Sequence, residues 1–542
     1  MDLAATILAS TAAAGEDHGS LAWLLAGATA IVTVLAWLAQ RSRAPYPVFL
    51  VLAGTALGFV PGLPDVTLDP DLVFLVFLPP LIYAAAYFTS LHELRSNIRS
   101  ISMLAVGLVF VTMVVVAAVA HAVAGLSWPV AFVLGAIVSP TDPVAGAAVL
   151  ERMRVPRRVV NIVEGESLIN DGSGIVLYRV AVAAVVSGTF SAVDAGLEFL
   201  VSCAGGVGIG ILAGMVATWL RRRNEHGPTD VLLSVASGYL AYLPAEALHV
   251  SGVLATVTVG IWLGWRTPTI VRNAETRIQI EVVWVNATFL INSALFLIVG
   301  LQLRDIVARL DGTGPWTLAW YAAAVSIAVL ASRLAFVFPA TFLLRLTSGS
   351  EIRDPRTTRI AALVGWIGMR GSVSLAAALA LPTTIEGGGP FPDRDLVVFL
   401  AFSVIVVTLV VQGMSLGRVV EWLGLEDDGD FERSEARARM VAARAALTRI
   451  DELHGCGWIH DAALDRLRTM YAYRERRFES RVLEDDEAEL YDERADAWVR
   501  LARELREAER AALLELRSTR EITDEVLSAV QRDLDLEDIR VR

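Results

Sequence analysis

Long apolar stretches separated by short charged loops fill the chain from residue 21 to about residue 424, and a polar, charge-dense segment follows. The stretches fall near 21–40, 45–62, 71–89, 101–124, 128–151, 161–187, 194–220, 229–247, 251–265, 284–303, 315–345, 358–382 and 395–421. Each is close to the roughly 20 residues a helix needs to cross a hydrocarbon core about 30 Å thick. They are too long and too uniformly apolar for alternating barrel strands, which leaves helices to satisfy the backbone in lipid. The pattern predicts an all-α polytopic membrane protein of about thirteen transmembrane helices. It implies a short extracytoplasmic N-terminus at 1–20, a transmembrane domain at 21–424 and a helical cytoplasmic tail at 425–542.

The loops supply an orientation. Arg41 and Arg43, Arg95 and Arg99, Arg152 to Arg158, Arg221 to Arg223, Arg266 to Arg277, and Arg353 to Arg359 fall in alternate loops. Arg304, Arg309 and Arg394 are the exceptions. By the positive-inside rule the arginine-rich loops face the cytoplasm. An odd number of spans then puts the N-terminus outside and the tail inside a plasma (inner) membrane. Residues 2–15 lack a basic leading segment, so no cleaved signal peptide is expected.

Composition adds little to that picture. Of the 542 residues 55% are hydrophobic and 19% charged, and none of the 46 basic residues is a lysine. The net charge of −12 says little about partners, but much of the acidity lies in the tail, which argues against nucleic-acid binding. Two distant cysteines, Cys203 and Cys456, make no disulfide framework or metal site. In the tail, Ser434 is a candidate cap for a helix carrying Met440, Ala443, Leu447 and Ile450. Trp498, Leu501, Leu505, Ala508 and Ala512 mark a later amphipathic helix, and Thr523 starts a last one. His454, Cys456 and His460 have loosely ligand-like spacing, and a structural or regulatory tail without metal is the preferred reading.

The chemistry sits where polar residues interrupt apolar spans. In the fifth, "SPTDPVAG" lies at mid-membrane, where Pro140 and Pro143 flank Thr141 and Asp142 and should unwind the helix. The freed backbone groups are tolerable only inside protein or beside a wet cavity. Asp142 then compensates a half-helix N-terminus; a simple proline kink is the competing reading. In the sixth span, "GESLINDG" places Asp171 some ten residues in, about 15 Å by helical rise, with Ser167 on the same face. Asp171, Asp142, Ser167 and Thr141 make an all-oxygen set, suited to Na+ and not to a transition metal. Arg333 in the eleventh span and Arg370 in the twelfth need partners, and Glu166 suits one of them. Gly368 and Gly371 suggest a second broken helix around Arg370. Breaks in spans five and twelve suit two six-helix repeats of opposite orientation.

These residues resemble one family: the first cation:proton antiporter family, whose prokaryotic Na+/H+ antiporters are related to the animal sodium/proton exchangers. "FLVFLPPLIYAAAYF" (Phe74–Phe88), "SPTDPVA", "GESLINDG" and "GMRGSVSLAAALALP" resemble its third-span motif, unwound helix, ion-site helix and second crossing helix. The resemblance implies a thirteen-helix homodimer with a dimerisation part, a moving core and no cofactor. It implies a cation and proton site at Asp171, helped by Ser167, Thr141 and Asp142 and supported by Asn170. It also implies that Glu166 pairs with Arg333 and not with Arg370. One departure is Ala84, where some relatives carry an acid, which bears on affinity, pH response and cation preference.

A transport cycle follows from one exchanging carboxylate. Low dielectric disfavours an uncompensated charge, so empty Asp171 opposes the switch between facing states, whereas Asp171 loaded with H+ or Na+ permits it. One H+ then trades for one Na+ (or Li+) without net charge movement, a reading Asn170 favours because a second aspartate there would carry another charge; if Asp142 also titrates, the stoichiometry changes. Glu164 lies nearest the cytoplasmic end and is read as hydrated. The alternatives are K+/H+ exchange, a passive cation channel and, more remotely, an intramembrane aspartyl protease, whose GxGD-type motif is missing around Asn170-Asp171-Gly172.

Overall fold

The computed structural model describes residues 33–34, 37, 46–60, 73–142, 150, 153, 155–310, 312–348, 355–386, 388–425, 429–454, 460–483 and 487–541. The predicted N-terminal segment 1–20, Pro143 and Cys456 lie outside them. Among the described residues helices are the only extended regular structure, with one isolated bridge between Thr384 and Pro390 in place of any strand. It forms two compact units, Met1–Glu426 and Asp427–Arg542.

Apart from the short helices Leu91–Ser96 and Ile98–Ser102, the described helices of the first unit are α1 (Tyr46–Gly58), α2 (Leu78–Phe88), α3 (Val109–Ala124), α4 (Trp128–Val138), α5 (Arg157–Ser187), α6 (Ala192–Arg223) and α7 (Gly227–Ala247). They continue as α8 (Gly252–Ile270), α9 (Ala274–Arg309), α10 (Pro315–Ser348), α11 (Pro355–Trp366), α12 (Ser372–Leu379), α13 (Arg394–Val407) and α14 (Gly413–Leu423). Among the described residues six helical stretches are long and apolar enough to cross a membrane: Ile98–Ala124, Arg157–Ser187, Val193–Arg223, Ala274–Arg309, Pro315–Leu343 and Arg394–Leu423. Tyr46–Gly58, Leu75–Phe88 and Trp128–Val138 are shorter apolar helices. Side chains such as Phe190, Leu200, Trp316 and Ile327 point outward, as a lipid-facing surface requires.

Small residues set the close packing. A Cβ on Gly54 would lie 2.3 Å from the Leu297 carbonyl oxygen, and one on Gly300 would lie 2.4 Å from that of Val51, so α1 and α9 touch backbone to backbone. Without a hydrophobic drive between helices in lipid, such contact supplies the dispersion that holds them. Two arginines that broke the loop charge pattern have local work. Arg304 donates to the Gly58 carbonyl at the end of α1 (3.1 Å), and Arg394 donates to the Leu381 carbonyl just past α12 (3.1 Å). Both place a cation where helix carbonyls lack partners.

Two of the predicted spans are interrupted. The fifth is helical to Val138 and irregular from Ser139 to Asp142; the twelfth is helical to Trp366, irregular over Ile367–Gly371, and helical again from Ser372. The second unit contains α15 (Asp430–Leu453), α16 (Asp461–Leu483), α17 (Glu487–Ser518) and α18 (Asp524–Val541). Its first helix begins at Asp430, after Gly429 in the left-handed region (φ 66°), which corrects Ser434 as its cap. The aspartate and Glu432 complement the N-terminal dipole one turn earlier. Ala443 and Ile450 are buried, whereas Trp498, Leu501 and Leu505 remain exposed.

Candidate functional site

The two interruptions meet. The backbone N–H of Asp142 donates to the Met369 carbonyl (2.8 Å), joining the end of the α4 segment to the linker between α11 and α12. Each break leaves orphan helix groups, and each is answered by a charge of the right sign. Arg370, fully buried, donates from Nε to the Val138 carbonyl (2.9 Å) and from Nη1 to the Gly368 carbonyl, so its cation lies against the C-terminal end of α4. Asp142 accepts from the Ser372 N–H (3.0 Å) and lies 3.4 Å from the Ser372 hydroxyl, so its anion lies at the N-terminal end of α12. This is the favourable sense of both helix dipoles. Gly371 makes the approach possible: a Cβ there would lie 1.6 Å from Asp142 Oδ2.

The crossing is held from behind. Thr408 accepts from the Arg370 N–H (3.1 Å), and Gln412 donates to the Trp366 carbonyl (2.7 Å). Both lie in a π-helical turn, Thr408–Gln412, a form of helix that often marks functional positions. A second π-turn, Met103–Leu108, presents the Ala105 carbonyl to the Ser173 hydroxyl at 2.6 Å.

On α5, Glu166 and Arg333 form a bidentate pair at 2.5 and 2.8 Å, and Arg333 Nε donates to the Val364 carbonyl at 3.1 Å. Both side chains are 1% exposed. One turn on, Asn170 donates to Thr141 Oγ1 (2.7 Å), which also shares a hydrogen bond with Ser167 (3.1 Å). This chain of small polar groups ties α5 to the interruption after α4.

Asp171, on the next position of α5, lines a cavity of about 400 Å³ together with Thr141, Asp142, Gly371, Ser372 and Ser374. Among the described residues no donor hydrogen-bonds to its carboxylate. Of the oxygen set read from the sequence, Asp171, Asp142 and Thr141 line the cavity, while Ser167 is buried behind Thr141. Glu166, Arg333 and Arg370 hold the walls and do not line it.

Sequence reading did not single out Ser372, Ser173, Thr408 or the opposite wall of the cavity, made by Tyr46, Thr288, Phe289 and Asn292 of α1 and α9. Ala84 also lines it. The Asn292-Ser293 pair inside an otherwise apolar run was the available signal; both are 1% exposed. Two further ion pairs were also missed. Arg221 pairs with Asp230 at 3.0 Å and is buried although it lies in an arginine-rich segment, and Arg179 pairs with Glu246 at 2.6 Å.

A carboxylate with no donor among the described residues, inside a membrane unit and beside two crossing helix breaks, defines a secondary transporter of small cations. The sequence comparisons name the family: the description "Sodium/hydrogen exchanger, transmembrane" matches residues 28–422, and the chain belongs to it. An uncharacterized Na(+)/H(+) exchanger of Mycobacterium tuberculosis is 38% identical over 530 residues, 94% of each chain. The Na(+)/H(+) antiporter ApNhaP of Aphanothece halophytica is 32% identical over 408 residues, 75% of this chain and 74% of that one. Among solved structures, the sodium proton antiporter MjNhaP1 of Methanocaldococcus jannaschii matches with TM-score 0.60 at 19% identity, covering 74% of this chain and 97% of that chain. That likeness establishes the fold.

Proposed function

We infer that this protein exchanges Na+ for H+ across a membrane by alternating access, with both ions competing for Asp171. The observation that carries the reading is the Asp171 carboxylate, which lines the cavity at the crossing and receives no donor from a described residue. An anion left in that state must bind something positive or oppose movement through a low-dielectric interior. H+ and Na+ each remove the charge, so either permits the switch and the empty form does not. Thr141 and Asp142 supply the further cavity-lining oxygens, and Ser167 and Asn170 orient Thr141.

Asp142 has another duty: its carboxylate caps α12 through the Ser372 N–H. With Asp142 held as a fixed anion and Asn170 uncharged, one group exchanges and the stoichiometry is one H+ per Na+, without net charge. The protein then acts as a multi-pass homodimer of the plasma membrane, with the tail in the cytoplasm. Ala84 in the cavity wall favours keeping K+/H+ exchange as a second reading, since the site lacks an acid there.

Competition gives the test. In proteoliposomes, lowering the pH should raise the apparent KM for Na+ while leaving the maximal rate at saturating Na+ nearly unchanged. An apparent KM independent of pH would contradict a shared site. Running the same series with K+ and Li+ ranks the cations.

A further inference from the structure

The cavity at Asp171 is asymmetric. Tyr46 at the start of α1 and Phe88 at the end of α2 line it, so it runs from Asp171 toward helix ends that the arginine-rich loops flank. In the other direction it ends on a buried apolar cluster. Ile82, Leu168 and Val373 line the cavity and belong to that cluster, which continues beyond it through Ile175, Tyr242 and Val253. The packing there is close: a Cβ on Gly172, next to Asp171, would lie 2.5 Å from Leu254 Cδ2 on α8.

An ion pair lies over the far side of this cluster. Arg179 is one turn past Ile175 on α5, and Glu246 is one turn past Tyr242 on α7. Arg179 Nη2 donates to both Glu246 carboxylate oxygens, at 2.6 and 2.7 Å. The pair therefore bridges α5 to α7 about 12 Å beyond Asp171 by helical rise. Glu246 also packs on the start of α8, since a Cβ on Gly252 would lie 2.5 Å from its Oε1. Neither charged residue lines the Asp171 cavity. Alternating access at Asp171, on which this inference rests, needs a path from the second surface. That path runs through the cluster and must part α5 from α7 and α8. We propose that the Arg179–Glu246 pair is a latch: it holds this end of the site closed and breaks when Asp171 faces the second surface.

The test reads access to the cluster directly. Val253 is 1% exposed, so V253C places a thiol within it, on a full-length C203S/C456S background in phospholipid nanodiscs. A charged maleimide then reports how often the closed end opens. The two side chains of the pair are 37% and 29% exposed, so water screens it in part, and its loss should shift the balance by about fivefold. R179Q and E246Q should each speed labelling of V253C by about that factor. The double variant R179Q/E246Q should add nothing further, because either single variant already breaks the pair. V325C, at an equally buried position on α10, should stay protected throughout. A change under about twofold, multiplying effects in the double variant, or equal acceleration at V325C overturns the latch. Labelling needs no transport, so that result leaves exchange at Asp171 standing, whereas loss of exchange alone leaves the latch standing.

Discussion

Replacing Glu166 with Gln isolates the energetics of the crossing. The wild-type carboxylate accepts both Arg333 donors at 2.5 and 2.8 Å, and both side chains are 1% exposed, so water screens neither charge. The variant keeps the shape and one acceptor oxygen but leaves the guanidinium uncompensated. Breaking such a buried pair from one side typically costs about 3–5 kcal/mol, most of it the penalty for the remaining charge. Arg333 keeps its bond to the Val364 carbonyl, which favours the lower end. We therefore expect about 3 kcal/mol for E166Q. The double variant E166Q/R333Q removes both charges and should recover most of that loss, because replacing a whole buried pair is often close to neutral. The assay is unfolding in mixed micelles with increasing sodium dodecyl sulfate, for wild type, both single variants and the double. The coupling energy across the cycle should reach at least about 2 kcal/mol. A single-variant loss under about 1 kcal/mol, or strictly additive singles, would refute the argument that this pair holds α5 against α10.

Two other substitutions probe the site. Gly371→Ala places a methyl group where Asp142 Oδ2 now lies, so it should push the carboxylate off the Ser372 N–H and lower exchange at least about tenfold; exchange at the wild-type rate would show that the cap is dispensable. Asn170→Asp adds a second acid beside Asp171 and removes the Nδ2 donor to Thr141. It should turn silent exchange into exchange that carries a Na+-dependent current on a solid-supported membrane, whereas unchanged electroneutrality would detach stoichiometry from that position.

Much of this arrangement was legible because membrane physics makes polar residues conspicuous. Asp142, Glu166, Asp171, Arg333 and Arg370 stand out in apolar runs, and two prolines around Thr141 announce a break. The partner of Glu166 was a different matter. Residue type and depth left both arginines open, and the family resemblance pointed to Arg333; the structure has Arg333 on the carboxylate and Arg370 on helix-end carbonyls. Ser372 and Thr408 escaped notice because a hydroxyl in an apolar helix usually bonds its own backbone, as Ser403 does with Phe399. Arg221 was hidden by its neighbours: three consecutive arginines read as a solvated loop, although one of them is buried against Asp230. In the tail, spacing alone located the apolar stripes, but Gly429 and Asp430, rather than Ser434, begin the first helix.

The central claim is that one carboxylate carries both ions. Asp171→Asn preserves size and polarity while removing the exchangeable charge, and the buried network of Thr141, Ser167 and Asn170 does not depend on Asp171. The decisive measurement is pH-gradient-driven Na+ uptake by this variant in proteoliposomes, normalised to folded protein. The account predicts that uptake falls to the level of protein-free liposomes, and exchange at a rate near that of the wild type would contradict it.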